Sequence, residues 1–116
     1  MLNKQQILAA DDLPRELVQV PEWGGSVYVS TMTGTERDAF EAESVGTEQT
    51  PAERLANFRA RLLVRTVVDD AGVRMFSDAD AAELGKKAAP AIMRLYDVAL
   101  RLNRLAAKDV DDLSKN

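Results

Sequence analysis

The sequence predicts a mainly helical α+β fold: a small helical domain with one N-terminal β-hairpin packed on helices. Three observations predict it. The run Val18 to Phe40, VQVPEWGGSVYVSTMTGTERDAF, sets two β-rich stretches around Pro/Gly turn chemistry and then opens a capped helix. Thr50-Pro51-Ala52-Glu53 repeats the cap pattern, with Pro at the first helical position. The segment from Ala88 to Ala107 repeats apolar residues at helical spacing.

Taken in order, Asn3 caps a short helix over Lys4 to Ala10, with Gln6 as its box partner. Asp11, Asp12 and Pro14 end it. Leu17 to Val20 reads as a strand, Pro21 to Gly25 as the turn, and Val27 to Val29 as the returning strand, running into Ser30 to Met32. Pro21 lacks an N–H and so ends the first strand or confines it to an edge. A lone hairpin is marginal in water, so one face must lie on a helix. Thr33-Gly34-Thr35-Glu36 is a capping box for a helix to about Glu43, followed by a polar loop over Ser44 to Gln49. A helix from Pro51 to about Val68 is stopped by Asp69-Asp70-Ala71-Gly72. Val73 to Phe76 is extended, Ser77 to Asp80 starts a short helix, and Gly85 ends it. The last helix carries Pro90 in its first turn and runs to about Ala107. The expected organisation is one domain over 1–107 with a polar tail over 108–116.

On a helical wheel, Arg94, Asp97, Arg101 and Arg104 share one polar arc of roughly 80°. Apolar residues fill most of the rest, about twice the stripe needed to touch a single neighbour. Either this helix is central and covered by the other elements, or part of its stripe docks another subunit or partner. Asn103 falls inside the apolar arc, where a side-chain amide must be hydrogen-bonded. It can tie down a neighbouring backbone segment such as the hairpin turn, or set register at an interface. In the middle helix Leu55, Ala56, Phe58, Leu62, Leu63 and Val67 form a core face. Arg54, Arg61 and Arg65 line up beside it as a solvated edge paired with acids.

The 116 residues suit one core, and 46% apolar content is ordinary for a globular chain. There is no Cys and no His, which removes thiolate chemistry, Cys-based zinc sites and a Ser-His-Asp triad. A net charge of −4 argues against nucleic acid as a partner. No apolar run approaches the roughly 20 residues that span a bilayer. The opening MLNKQQILAADDLP lacks a signal peptide's apolar core, so cytoplasm is the expected location. A calcium loop with Gly72 at its sixth position would put Val67 and Ala71 at ligand positions and end on Asp78 rather than Glu, so the pattern fails. Trp23-Gly24-Gly25 lacks the Gly-Lys-Ser/Thr of a phosphate loop. No catalytic, cofactor-binding or metal-ligating residue is expected, and no cofactor.

Three stretches carry a family resemblance. VPEWGGSVYVSTMTGTERDAFE (Val20 to Glu41), VVDDAGVRMFSDADAAEL (Val67 to Leu84) and Leu102-Asn103-Arg104-Leu105 occur in order and together resemble the tail assembly chaperones of long-tailed bacteriophages and prophages. The resemblance implies a non-enzymatic assembly factor that binds the tape measure protein and helps recruit tail tube protein. It also implies absence from the finished virion and a possible frameshift-extended form of the same chain. The polar ending Lys115-Asn116 is compatible with the shorter product.

A chaperone for amphipathic helices needs exposed apolar surface. The last helix is expected to supply part of it, and to contribute to a homo-oligomer, through Met93, Tyr96, Leu100, Arg104 and Leu105. Trp23, Gly24, Gly25 and Asn103 are expected to be structural. The competing functions are a structural tail or head–tail connector subunit and a small nucleic-acid-binding regulator using Arg54, Arg61 and Arg65.

Overall fold

The computed structural model describes residues 1–44, Thr50, Ala52 and 57–105. In chain order the elements are α1 (Lys4–Ala9), β1 (Arg15–Val20), a 3-10 turn (Pro21–Trp23), β2 (Gly25–Ser30), α2 (Gly34–Ser44) and α3 (Phe58–Thr66). They continue with β3 (Val67–Val68), a 3-10 turn (Asp78–Asp80), α4 (Ala81–Leu84) and α5 (Ala89–Leu102). This is the α+β, mainly helical fold that the sequence predicts. Pro51 and Glu53 of the second cap, the residues Arg54, Leu55 and Ala56, and the tail lie outside the described residues, as does the loop over 45–49.

The hairpin pairs antiparallel from Arg15 with Ser30 to Val20 with Gly25. Pro21 ends β1 by starting the 3-10 turn, whose close is the Gly24 N–H donating to the Pro21 carbonyl at 3.1 Å. Gly24 takes the positive φ, 75°, that this turn demands, whereas Gly25 already belongs to the ladder. β1 starts two residues before Leu17 because both added residues find anchors. The Arg15 guanidinium lies over the Tyr28 ring and donates to the Asp70 carbonyl, and Glu16 pairs with Arg101 of α5.

A third strand departs from the expected helix to Val68. Val67 and Val68 leave α3 and pair antiparallel with Val29 and Tyr28, giving the sheet order β1-β2-β3. Two consecutive β-branched residues suit a pleat, and the free side of β2 offers them a ladder. At its other end α3 starts at Phe58, after Asn57 in the left-handed region (φ 56°), so Asn57 is not part of the continuous helix expected from Pro51.

The most enclosed helix is α3, not the last one. Every residue from Leu62 to Thr66 is buried, against α2, α4, α5 and the sheet. Helix α5 instead buries one stripe, Ala91, Ile92, Leu95, Tyr96 and Ala99, on α3 and the hairpin's inner face, which carries Val18, Val20 and Val29. Phe40 of α2 completes the core with its ring centroid 5.5 Å from that of Phe58.

α5 ends at Leu102, well short of Ala107. Arg104 is left-handed (φ 52°), its N–H donates to the Arg101 carbonyl at 3.3 Å, and the Leu105 N–H donates to the Leu100 carbonyl at 2.9 Å. This is a Schellman motif with Arg at the position glycine favours. It turns the chain so that Leu105 enters the core. Because an L-residue in this region costs about 1 kcal/mol, Arg104→Gly is expected to raise stability by about 1 kcal/mol. A thermal melt would read this as a rise in Tm of a few degrees, and a fall would contradict the geometry.

Candidate functional site

Two polar joints hold the elements in place, and each gathers stretches that carry the family resemblance. The first is built on Asn103, which is buried at the end of α5. Its Oδ1 accepts from the Met32 N–H at 2.7 Å, and its Nδ2 donates to the carbonyls of Ala99 (2.9 Å) and Ser30 (3.3 Å). Around it, Thr31 Oγ1 donates to the Leu102 carbonyl and Arg37 Nη1 donates to the Asn103 carbonyl. The Leu102 and Asn103 carbonyls, which the end of the helix leaves without backbone donors, are thereby satisfied. The segment that Asn103 ties down is the exit of β2, at the end of the hairpin opposite the turn, not the turn itself.

The second joint is built on Arg65, whose side chain is only 5% exposed. Its Nη1 donates to Glu36, and its Nη2 donates to Glu43 at 3.2 Å and Asp78 at 3.1 Å. Arg74 joins them, donating to Asp78 at 2.7 Å, to Glu36 at 3.3 Å and, through Nε, to the Val64 carbonyl at 2.8 Å. Burial disfavours the Arg65 charge, but its bonds to Glu36 and Glu43 outweigh this and raise its pKa. The Arg74 bond, aided by Arg65, holds the Asp78 carboxyl below the usual range. Arg65 is therefore not on a solvated edge. Glu36 caps α2 only in one direction: its N–H donates to Thr33 Oγ1, while its carboxylate goes to Arg65 and Arg74 instead of reaching back. Arg61 is partly buried beside Glu43 (3.9 Å) and over the Phe58 ring.

The polar arc of α5 partly faces the hairpin. Arg94 grips Glu22 through two bonds, of 2.7 and 2.9 Å, which hold the Glu22 carboxyl down at about 2 against an ordinary 4.5. Since the folded pKa is depressed, this contribution is fully present above about pH 4.5 and is lost as pH falls toward 2. Accordingly the Tm gap between the parent and Glu22→Gln should be widest near neutral pH and close by about pH 2. A gap independent of pH would disprove the linkage.

The residues singled out on α5 and just after it separate by exposure. Tyr96 and Leu105 lie in this chain's core, Leu100 is half-buried, and Met93 and Arg104 are exposed. Met93 borders a shallow groove of ≈ 240 Å³ shared with Phe58, Arg59 and Ile92. Trp23 is half-buried against the core and lines a larger groove of ≈ 500 Å³ with Phe76, Leu84, Asp80, Lys86 and Lys87.

The exposed apolar surface is broader than α5. Leu2, Ile7 and Leu8 on and beside α1 are 56–74% exposed, and α1 buries no residue. Both bonds of its Asn3–Gln6 capping box are present, as the sequence predicts. Leu2 and Ile7 also occupy the positions of a hydrophobic staple, a signal in the sequence that an apolar pair sits at this helix start. Among the described residues no group of acidic side chains could hold a metal ion, and no helix is long and apolar enough to cross a membrane.

These features define a small α+β domain that commits its buried Arg65 and Asn103 side chains to its own joints and leaves several large apolar ones exposed. Residues 3–116 match the family described as phage tail assembly chaperone, and the chain belongs to that family. A solved structure of the bacteriophage HK97 tail assembly chaperone shares the fold, with a TM-score of 0.62 at 22% identity, over 84% of this chain and 94% of that one. No curated protein matches the chain by sequence.

Proposed function

We propose that this chain is a non-enzymatic chaperone that holds helical segments of the tape measure protein in soluble form and helps bring tail tube protein to them. It acts in the cytoplasm of the bacterial host and is left out of the finished particle. It works as a homo-oligomer, in which a frameshift-extended form of the same chain takes part. Family membership over residues 3–116 carries this reading. The exposed apolar groups support it, since an amphipathic client helix needs an apolar face to lie on.

On α5 and the turn that follows it, the client would meet Met93 and Arg104 directly, with Leu100 at the margin and Tyr96 and Leu105 holding the surface from beneath. Arg104 supports this assignment, because a charged residue kept in a strained backbone region points to a use for its side chain.

Co-expression with the tape measure protein is the test. The client should become more soluble and co-purify, and Met93→Asp should reduce the recovered complex about tenfold while leaving the Tm of the free chain near the parent's. No gain in client solubility and no co-purification would overturn the proposal. Recovery of the chain from purified particles would make it a structural subunit instead.

A further inference from the structure

Two grooves meet at Lys87. The larger, ≈ 500 Å³, has Trp23, Phe76 and Leu84 as its apolar lining. The smaller, ≈ 240 Å³, has Phe58, Ile92 and Met93. Lys87 lines both and so forms a cationic saddle between two apolar floors. Backbone bonds hold the saddle in shape. The N–H groups of Gly85, Lys86 and Lys87 donate to the carbonyls of Ala81, Glu83 and Leu84 at 2.9, 3.2 and 3.0 Å. The larger groove falls within the range of about 300–1,000 Å³ typical of ligand-taking clefts.

The charges around the two grooves are unequally engaged. The acids of the larger one already have partners: Asp80 accepts from the Ser77 N–H at 2.8 Å, and Glu83 pairs with Lys86 at 3.0 Å. The cations at the saddle do not. Arg59 lies over the Tyr96 ring at 5.3 Å, and among the described residues neither Arg59 nor Lys87 has a carboxylate partner. Helix α5 starts beside them, since Ala89 lines the same groove. Its N-cap is Ala88, which has no side-chain oxygen, and its first turn holds no acid. Helices α1 and α2, by contrast, are capped by Asn3 and Thr33. The positive end of α5 therefore adds to Arg59 and Lys87 instead of being offset.

We infer that the furrow through Lys87 docks an amphipathic client helix, with apolar side chains in the two grooves and an acidic one between them facing Arg59, Lys87 and the start of α5. A helix laid in a groove is read by apolar anchors a turn or two apart, and two floors split by a cation add a demand for an acid between the anchors. The chain's own exposed helix α1 does not meet that demand, because the charge between Leu2 and Ile7 is Lys4. The inference deepens the proposed function, and rests on it for the client's class, by giving the client a place and a charge. The preference runs against the net charge of −4, which would draw basic partners to the chain as a whole, so bulk attraction cannot imitate it.

Trp23 is the only tryptophan in the sequence, so its emission reports the larger groove directly. The full chain is titrated with Trp-free model helices that share one apolar face and differ only between the anchors, where they carry Glu, Gln or Lys. The Glu helix should move Trp23 emission to shorter wavelength. It should bind about tenfold more tightly than the Lys helix, as a few exposed charge contacts and a helix start would give, with the Gln helix between. Arg59→Glu/Lys87→Glu should reverse that order with the Tm of the free chain near the parent's. The same variant should recover less tape measure protein on co-expression.

Equal binding of the three helices to the parent, or binding that leaves Trp23 emission unchanged, overturns the inference. So does an emission shift that grows with the chain's own concentration and no helix added, which would give the groove to a second copy. Tape measure protein recovered equally by the parent and by Arg59→Glu/Lys87→Glu overturns the docking site and leaves the proposed function standing. A Glu helix that binds as expected beside a tape measure protein that never co-purifies supports the site and overturns the proposed function alone.

Discussion

Arg65→Ala is expected to destabilise the protein by about 3–5 kcal/mol, the range for removing one partner of a buried ion pair. Its three carboxylate partners are 29–56% exposed, so water relieves part of their repulsion and the lower end of that range applies. A drop in Tm of roughly 10–20 °C follows. The loss has two origins. The guanidinium holds α2 to α3 through Glu36 and Glu43, and it holds the segment after β3 through Asp78. Without it three acids remain close together, with Arg74 bonded to Glu36 and Asp78 and Arg61 beside Glu43.

Arg65→Lys keeps the charge but cannot offer the planar fork, so it should recover only part of the loss. Acid narrows the difference between parent and variant. The Asp78 pKa lies below its ordinary 3.8 in the folded state, so its contribution is present above about pH 4 and disappears as pH falls further. Melts at pH 7 and pH 3 check both statements, and a loss below about 1 kcal/mol at pH 7 would show that the joint is ornamental.

Local chemistry was readable in the sequence wherever a signal acts within a few residues. The Asn3 cap, the hairpin with its Pro21 stop, and the start of α2 at Thr33 all have partners two to five positions away. What required the fold was partner choice over long separations. Glu36 has two possible uses, and a capping box predicts the local one. Its carboxylate is drawn instead to Arg65 and Arg74, 29 and 38 residues on, which only packing brings together. The valine pair at 67–68 continued a helical pattern, and the free side of β2 made it a strand.

The breadth of the apolar arc on α5 likewise hid which helix is central. Apolar content told that α5 contacts much, but the polar Arg65 in α3 concealed that α3 is more enclosed. The exposure of α1 was not readable at all, since Ile7 and Leu8 look like ordinary core residues until the core is seen without them.

The three stretches that carry the family resemblance are far apart in sequence and meet at the two joints. Val67 to Leu84 supplies Arg74 and Asp78 to the Arg65 joint, and Val20 to Glu41 supplies Glu36. The same Val20 to Glu41 stretch supplies Ser30, Thr31, Met32 and Arg37 to the Asn103 joint, where Leu102 to Leu105 completes it. The residues that make the family recognisable are thus largely those that fix its architecture. A chaperone surface only has to be apolar and of suitable shape, so many residue choices serve and leave a fainter pattern.

Asn103→Ala should therefore cost more than its small volume suggests, about 2–4 kcal/mol. It strips the buried Met32 N–H of its acceptor and the Ser30 carbonyl of a donor, and each buried group left unmade costs about 1–3 kcal/mol. Asn103→Asp separates this hydrogen-bonding account from simple packing. Its shape is the same and one oxygen can still accept from Met32, but the other would face the Ala99 and Ser30 carbonyls. Ionised, that oxygen is repelled; protonated, it can donate to one of them. The folded pKa of the introduced carboxyl must then lie above its unfolded value of about 3.9. Stability linked to this group is present below the unfolded pKa and lost as pH rises through the folded one. Asn103→Asp should thus gain on the parent as pH falls from 7 toward 4, opposite in sign to the Glu22 and Asp78 contributions. A parent-to-variant gap that stays constant over this range would mean that the two carbonyls do not depend on the Asn103 amide.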